Sequence, residues 1–267
     1  MGDKKMNYIL MAFLATLLTW FLTMLGALTV FLFKKVNEKI MSFMFGFGAG
    51  VMVAASFFSL ILPALNQLND DNNKLAWLII VLGFLTGSIF ILIIDLLLPH
   101  LHINATKEEG IKSSLSKKIL LILAITLHNI PEGLAVGVAF ASAFLGFPGS
   151  TVVSATMLAI GIGLQNIPEG MAVSLPLRNE GMSRSKAFFY GQASGIVEPI
   201  SGVLGAILVS FVKGLLPFVL CFASGAMIYV VAEELIPSGK TSENNKLGTV
   251  GVIIGFALMM ALDIALS

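Results

Sequence analysis

Two short polar segments that nearly repeat each other interrupt long apolar stretches of this sequence. The first, TLHNIPEGLAV, spans residues 126–136, and the second, GLQNIPEGMAV, spans residues 163–173. Glu132 and Glu169, one in each segment, are the only acidic residues between positions 118 and 178. A lone carboxylate at the centre of a membrane helix costs roughly 2.5–3.5 kcal/mol on insertion scales, so these two glutamates predict a functional site.

Helical spacing brings ligand-type side chains of each segment onto one helix face. His128 and Glu132 are four residues apart, as are Gln165 and Glu169 in the second copy. The residues that follow the first member of each pair are Asn129 and Asn166. Two antiparallel helices with these faces opposed would converge an imidazole nitrogen, two carboxylates and three amide oxygens. This set suits Zn²⁺, Fe²⁺, Mn²⁺, Cd²⁺ or Co²⁺ and predicts a divalent-metal site.

A third glutamate and two prolines extend the pattern. Glu198, in the segment GQASGIVEPISG, falls near the middle of another apolar run. Three ionised carboxylates at one depth would repel each other, and either a divalent cation or protonation would relieve that repulsion. Pro131 and Pro168 cannot donate hydrogen bonds to the carbonyls of Leu127 and Leu164, so both helices should kink beside the ligands.

The elements that position these residues are predicted to be membrane-spanning α-helices. The chain of 267 residues is 57% hydrophobic and 12% charged, about half the charge of a soluble domain. Eight charge-poor runs are long enough to span a membrane: 7–33, 39–66, 75–98, 118–145, 151–177, 185–211, 214–236 and 247–266. The first is too long for a signal peptide and should be retained. The predicted fold class is all-α and polytopic, with a single transmembrane domain over residues 1–267.

Charge and cysteine content exclude other classes of protein. The net charge is +1 and the lysines are dispersed, so no nucleic-acid partner is expected. Cys221 is the only cysteine, which excludes an intrachain disulfide and a thiolate metal site. The loops after the first, third, fifth and seventh helices carry 12 of the 16 Lys and Arg residues. The positive-inside rule therefore predicts a multi-pass cell-membrane protein, embedded in the lipid bilayer, with both termini extracytoplasmic.

The 37-residue offset between the two NIPEG segments is an internal repeat. Because the copies lie on consecutive helices, they cross the membrane in opposite directions. Opposed repeats of this kind are typical of transporters with inverted topology, whose substrate sites lie near the membrane midplane. The repeat therefore predicts a transport site at mid-depth.

HNIPEG followed by QNIPEG, with eight predicted spans and the VEP of residues 197–199, resembles the ZIP (Zrt- and Irt-like) divalent-metal transporters, particularly the bacterial members. The resemblance covers essentially the whole chain. It implies a bundle with helices four and five at its core and inverted symmetry between the first three and last three helices. It also implies Zn²⁺ or another divalent metal as bound substrate, with one or two ions held and no catalytic cofactor. A homodimer is compatible with it.

Matched by motif position, the resemblance implies two adjoining metal positions. The first would be formed by His128, Glu132, Gln165 and Glu169. The second would be formed by Asn129, Asn166 and Glu198, with Glu132 and Glu169 bridging the two. Two residues depart from the family pattern, because many members have histidine where Gln165 stands and some bacterial relatives have aspartate where Asn166 stands. Both departures weaken or neutralise ligands.

Further candidates lie along predicted routes to and from this site. Five side chains are expected at the cytoplasmic mouth and would form an exit route: Asp95, His100, His102, Glu233 and Glu234. On the opposite side, three residues at seven-residue intervals share a face of the second helix and resemble the family's entrance route: Met52, Ser59 and Asn66.

Two other functions use similar residues. An intramembrane metalloprotease needs two histidines in an H-E-x-x-H motif, with the glutamate beside the first as general base. Here Asn129 follows His128 and Glu132 occupies the fourth position along, so an enzyme is not expected. A cation exchanger can use paired acidic motifs in inverted repeats and stays open as an alternative, as do carrier, channel and coupled modes. The leading prediction is inward transport of divalent transition metals, zinc first.

Overall fold

The computed structural model describes residues 2–33, 37–70, 73–99, 110, 116–211, 213–240 and 246–266. Every regular element in these ranges is a helix, and eight spans, α1 to α8, match the eight predicted ones. Five of them are uninterrupted: α1 is Gly2–Leu32, α3 is Ala76–Leu97, α4 is Lys117–Leu145, α5 is Val152–Asn179 and α8 is Leu247–Leu266. The predicted all-α, polytopic fold class is confirmed.

The other three spans are built from shorter pieces, although the sequence predicted continuous helices. α2 consists of Glu38–Ala55, a π-helical turn at Ser56–Ile61, and Leu62–Asp70. α6 consists of Arg184–Ala193 and Val197–Phe211. α7 consists of a 3-10 turn at Lys213–Leu215, Leu216–Val230, a π-helical turn at Val231–Leu235, and Ile236–Gly239.

α2 and α7 are interrupted at equivalent places. In each, a proline is the second residue after the π-helical turn: Pro63 in α2 and Pro237 in α7. Because proline has no N–H, it cannot donate to the carbonyl four residues earlier, which belongs to Ser59 in α2 and to Glu233 in α7. A π-helical turn is a common local adjustment of this kind and is frequent at functional sites. The shared interruption identifies α2 and α7 as corresponding members of a repeat.

The packing of the spans follows the same symmetry. The four most extensive pairings are α2 with α8, α1 with α5, α4 with α6, and α3 with α7. Exchanging α1 with α6, α2 with α7, α3 with α8 and α4 with α5 converts the first pairing into the last, and the second into the third. The predicted inverted repeat, with the first three spans related to the last three, is therefore present in the packing.

Glycines allow the backbones of these paired helices to come into contact. A Cβ at Gly133 of α4 would lie only 2.5 Å from the backbone carbonyl of Glu198 on α6. A Cβ at Gly170 of α5 would lie 2.8 Å from the backbone nitrogen of Ala27 on α1 and would overlap the Thr23 carbonyl. Small residues at helix crossings are the usual means by which membrane helices come into backbone contact. These two glycines end the two NIPEG segments, so the motif sets helix spacing as well as ligand position.

Burial separates the core spans from the lipid-facing ones. Seven described spans are long and apolar enough to cross a membrane, and α5 is not among them although it has 28 residues. α5 carries the polar QNIPEG segment, and most of its residues are buried against other helices. α3, by contrast, has only 17% of its most apolar window buried and exposes its large side chains. α4 and α5 are thus among the buried helices, together with α2 and α7, whereas α3 lies mostly exposed on the outside of the bundle.

Candidate metal site between α4, α5 and α6

The seven predicted ligands are gathered from three core helices. All of them are buried: His128, Asn129 and Glu132 on α4, Gln165, Asn166 and Glu169 on α5, and Glu198 on α6. α4 and α5 continue as α-helices through Pro131 and Pro168. Each proline still withdraws one hydrogen bond from the carbonyl four residues before it, beside the ligands.

Glu198 owes its place to a break in α6. The first piece of α6 ends at Ala193, and the second begins at Val197, so Glu198 lies in the first turn of the second piece. Pro199 cannot donate to the Gly195 carbonyl, which instead accepts from the Glu198 N–H at 3.0 Å. Discontinuous helices at mid-depth are typical of transporter binding sites. The sequence predicted a continuous helix over 185–211 and missed the break.

Side chains of neighbouring helices satisfy the freed backbone at this break. The Asn129 amide donates from Nδ2 to the Ser194 carbonyl at 3.0 Å, and Trp20 donates from Nε1 to the Gln192 carbonyl at 2.8 Å. Irregular backbone within a membrane needs such partners, since an unpaired carbonyl there costs several kcal/mol. The break is thus a supported feature that ties α6 to both α4 and α1.

Three of the candidate ligands are joined in a linear chain of hydrogen bonds. Gln165 donates from Nε2 to Asn166 Oδ1 at 2.7 Å, and Asn166 donates from Nδ2 to Glu198 Oε2 at 2.8 Å. Thr23 of α1 places its hydroxyl 3.3 Å from Glu198 Oε1, so both oxygens of that carboxylate have donors. The polar face of α1 that supplies Thr23 was not singled out from the sequence. Its signal is the T-x-x-x-T spacing of Thr19 and Thr23 within an apolar run.

The other part of the ligand set consists of oxygens with no hydrogen-bond partner of normal geometry, although the Gln165 side chain lies near enough to Glu132 and Glu169 to favour their charged forms. They are Glu132 Oε1 and Oε2, Glu169 Oε2, Gln165 Oε1 and Asn129 Oδ1. A buried acceptor without a partner costs about 1–3 kcal/mol, and more when it is charged. Charges on Glu169 and Glu198 also repel a charge on Glu132. Such a concentration of unpaired acceptors is what a cation would satisfy.

The carboxylates and the imidazole alone do not complete a metal centre. Among the side chains that the structure describes, no three of His, Cys, Asp or Glu stand together closely enough to hold an ion. The unpaired amide oxygens of Gln165 and Asn129 are further donors at this site. Gln165, whose Oε1 is unpaired, lies against α2, because a Cβ on Gly48 would come within 3.2 Å of that oxygen.

The predicted entrance residues form a gradient of burial along α2. Met52, one turn beyond Gly48, is fully buried, Ser59 is buried, and Asn66 is exposed. Ser59 donates from Oγ to Asp263 of α8, with distances of 3.0 and 3.1 Å to its two carboxylate oxygens. Asp263 was missed at the sequence level. The signal was available, because Asp263 in ALDIAL is a single carboxyl within the last apolar run.

The predicted exit residues divide into three groups. Asp95 and Glu234 are buried, and Asp95 accepts from the Tyr229 hydroxyl at 3.0 Å. A charge on Glu234 would add to the repulsion that a charge on Glu169 experiences. Glu233, the preceding residue of the same turn, is exposed. His100 and His102 lie outside the described residues.

This combination of fold and site defines the class of protein. Inverted helix repeats that enclose carboxylates, amides and an imidazole at mid-depth are characteristic of membrane transporters for cations. The family described as ZIP zinc transporter matches the chain over residues 6–118 and 100–263. The chain belongs to this family, and its class is that of divalent-metal transporters.

Individual relatives resemble the chain over nearly its full length. Zinc transporter ZIP11 of Xenopus tropicalis is 40% identical, with 97% of this chain and 98% of the relative aligned. Zinc transporter ZIP11 of Homo sapiens is 37% identical, covering 96% of this chain and 97% of its own. Zinc transporter GufA of Myxococcus xanthus is 36% identical, covering 94% and 97%. The relatives are thus both vertebrate and bacterial, and all three are named as transporters.

Proposed function

We propose that this protein carries divalent transition-metal ions, zinc first, across the cell membrane into the cytoplasm through the site between α4, α5 and α6. His128, Glu132, Gln165 and Glu169 are the central ligands in this proposal. The mixed oxygen and nitrogen donors suit Zn²⁺ and also Fe²⁺, Mn²⁺, Cd²⁺ and Co²⁺, so selectivity should be broad.

The observation that carries the proposal is the set of unpaired oxygens on Glu132, Gln165 and Glu169. They belong to three side chains on two antiparallel helices, and two of those side chains are carboxylates. A divalent cation would neutralise the repulsion and supply the missing partner at once. Apolar packing offers no reason for the chain to gather such groups.

The distribution of basic residues supports the orientation of the chain in this proposal. With 12 of the 16 Lys and Arg residues in or beside the connections after α1, α3, α5 and α7, those connections would be cytoplasmic and both termini outside. A metal ion would then enter along Asn66, Ser59 and Met52. It would leave past Glu234 and Asp95, with Glu233, His100 and His102 farther out at the same mouth. The cell membrane is the expected location, and the chain could work as a homodimer.

Uptake of radioactive zinc into vesicles that contain the purified protein tests the proposal. Glu132→Ala should abolish uptake, because it removes both unpaired carboxylate oxygens from the centre of the site. Glu180→Ala is the matched control, since Glu180 is exposed on the turn after α5 and lies 3.8 Å from Lys118. Unchanged uptake in Glu132→Ala, at equal protein content, would remove that residue from the transport path.

The same vesicles distinguish carriage from exchange. A panel of divalent metals, each offered with and without an imposed pH or Na⁺ gradient, reports both selectivity and coupling. Uptake that proceeds with no opposing gradient supports uncoupled transport. A strict requirement for an opposing Na⁺, Ca²⁺ or proton gradient would replace the proposal with a cation exchanger.

A further inference from the structure

We propose that Asn166 closes the second of the two metal positions implied by the family pattern, so that the site binds one metal ion per chain. This inference rests on the proposed function. In it, Asn166 and Glu198 are positioning residues that orient Gln165, and they do not contact the metal.

The oxygens of the central ligands and those of the implied second position differ in their hydrogen bonding. The central ligands Glu132, Gln165 and Glu169 offer four oxygens without hydrogen-bond partners. At the implied second position, Asn166 Oδ1 accepts from Gln165, and both oxygens of Glu198 have donors. Ligands are thus available at one position and engaged at the other.

The contact with Glu198 decides the orientation of the Asn166 amide. Glu198 is an acceptor, so the end of Asn166 that faces it at 2.8 Å is the NH₂ group. The same NH₂ also lies 3.4 Å from the Thr19 carbonyl. An amide NH₂ carries partial positive charge and has no lone pair for a metal. The end of Asn166 that faces Glu198 is therefore unable to bind a second cation.

The hydrogen bond to Asn166 also fixes the orientation of the Gln165 amide. Its Nε2 is held by Asn166 at 2.7 Å, which leaves Oε1 as the free end of the amide. Glu198 holds Asn166, and Asn166 holds Gln165, so one chain of hydrogen bonds fixes which atom of Gln165 is offered as a ligand. Partners of this kind, one shell removed from a metal, typically change its affinity 10- to 100-fold.

Few ligand atoms without hydrogen-bond partners remain for a second ion. Asn129 keeps one unpaired oxygen, because its Nδ2 is bound to the Ser194 carbonyl. A second divalent ion would have that oxygen, the carboxylate oxygens shared with the first ion, and the remaining lone pairs of Glu198, whose two oxygens already accept hydrogen bonds. Structural zinc sites use four donors. Recruiting Asn166 would require its amide to turn, which would break its bonds to both Gln165 and Glu198.

The test is the number of Cd²⁺ or Zn²⁺ ions bound per chain, measured by equilibrium dialysis and elemental analysis of the full-length protein in detergent. The wild type should bind one ion. Asn166→Asp replaces the donor with a carboxylate and should bind two. Asn179→Asp, the same change at an exposed position of α5, is the control and should bind one.

A second variant separates positioning from ligation. Asn166→Ala releases Gln165 Nε2, so the affinity for the single ion should fall roughly 10-fold while the stoichiometry stays at one. Two ions in the wild type, or one ion in a folded Asn166→Asp, would overturn the inference and leave the proposed function intact. If neither metal binds to the wild type at saturating concentration, the proposed function fails, and this inference fails with it.

Discussion

The two repeat segments share the sequence NIPEG, yet their asparagines have different partners. Asn129 donates to a backbone carbonyl at the break in α6 and keeps an unpaired oxygen. Asn166 is bound at both ends, to Gln165 and to Glu198. The difference arises because α4 packs against the broken backbone of α6, whereas α5 presents Asn166 to a carboxylate. Inverted repeats thus supply equivalent backbones, and the neighbouring helices decide which asparagine keeps an unpaired oxygen and which asparagine is bound at both ends.

The largest expected effect concerns the two glutamates of the repeat. Glu132→Gln should reduce zinc uptake in vesicles more than Glu169→Gln, because two oxygens of Glu132 lack partners and only one of Glu169 is in this condition. We expect a loss of at least about tenfold for each, equivalent to about 1.4 kcal/mol or more. Equal, small losses would show that the two carboxylates are not the central ligands.

The next effect concerns the two glycines that end the segments. Gly133→Ala and Gly170→Ala should each lower the free energy of unfolding by about 1–3 kcal/mol, because the added methyl group meets the backbone of α6 or α1. Gly214→Ala is the control, since no atom lies within 4 Å of the position its Cβ would take. Thermal unfolding in detergent measures all three, and a large loss at only one of the two would show that the copies are packed differently.

The smallest effect concerns the candidate ligand position at which the two copies differ, with His128 in the first and Gln165 in the second. Gln165→His would give both segments the same HN pair and should favour Zn²⁺ over Mn²⁺, because imidazole suits zinc. The reciprocal change His128→Gln should move the preference toward Mn²⁺. Competition between the two metals during uptake measures the shift. If both variants keep the wild-type order of metals, the residues at 128 and 165 do not set selectivity.

Much of the fold was accessible from the sequence because a membrane imposes simple requirements. All eight spans were predicted, since lipid demands long apolar helices. The interruptions of α2, α6 and α7 were not predicted. Pro63, Pro199 and Pro237 marked each of them, but a proline in a membrane helix predicts a lost hydrogen bond and not the form of the adjustment.

The sequence named the candidate ligands and not the hydrogen bonds between them. The seven candidates could be named because polar residues are rare in such a chain, and all seven side chains are buried. Which oxygens are free depends on contacts between distant segments, such as Thr23 with Glu198 and Asn129 with Ser194. Asp263 escaped notice for a similar reason, since its partner Ser59 lies 204 residues away in the chain.

α5 has a consequence for how the protein is made. Gln165, Asn166 and Glu169 make it less apolar than the seven described spans that qualify as membrane-crossing by composition. Such side chains are costly to place in lipid, and here all three are buried against other helices. α1 and α2 make the most extensive contacts with α5. We therefore expect the span that carries three candidate ligands to depend on companion helices for its place in the bilayer.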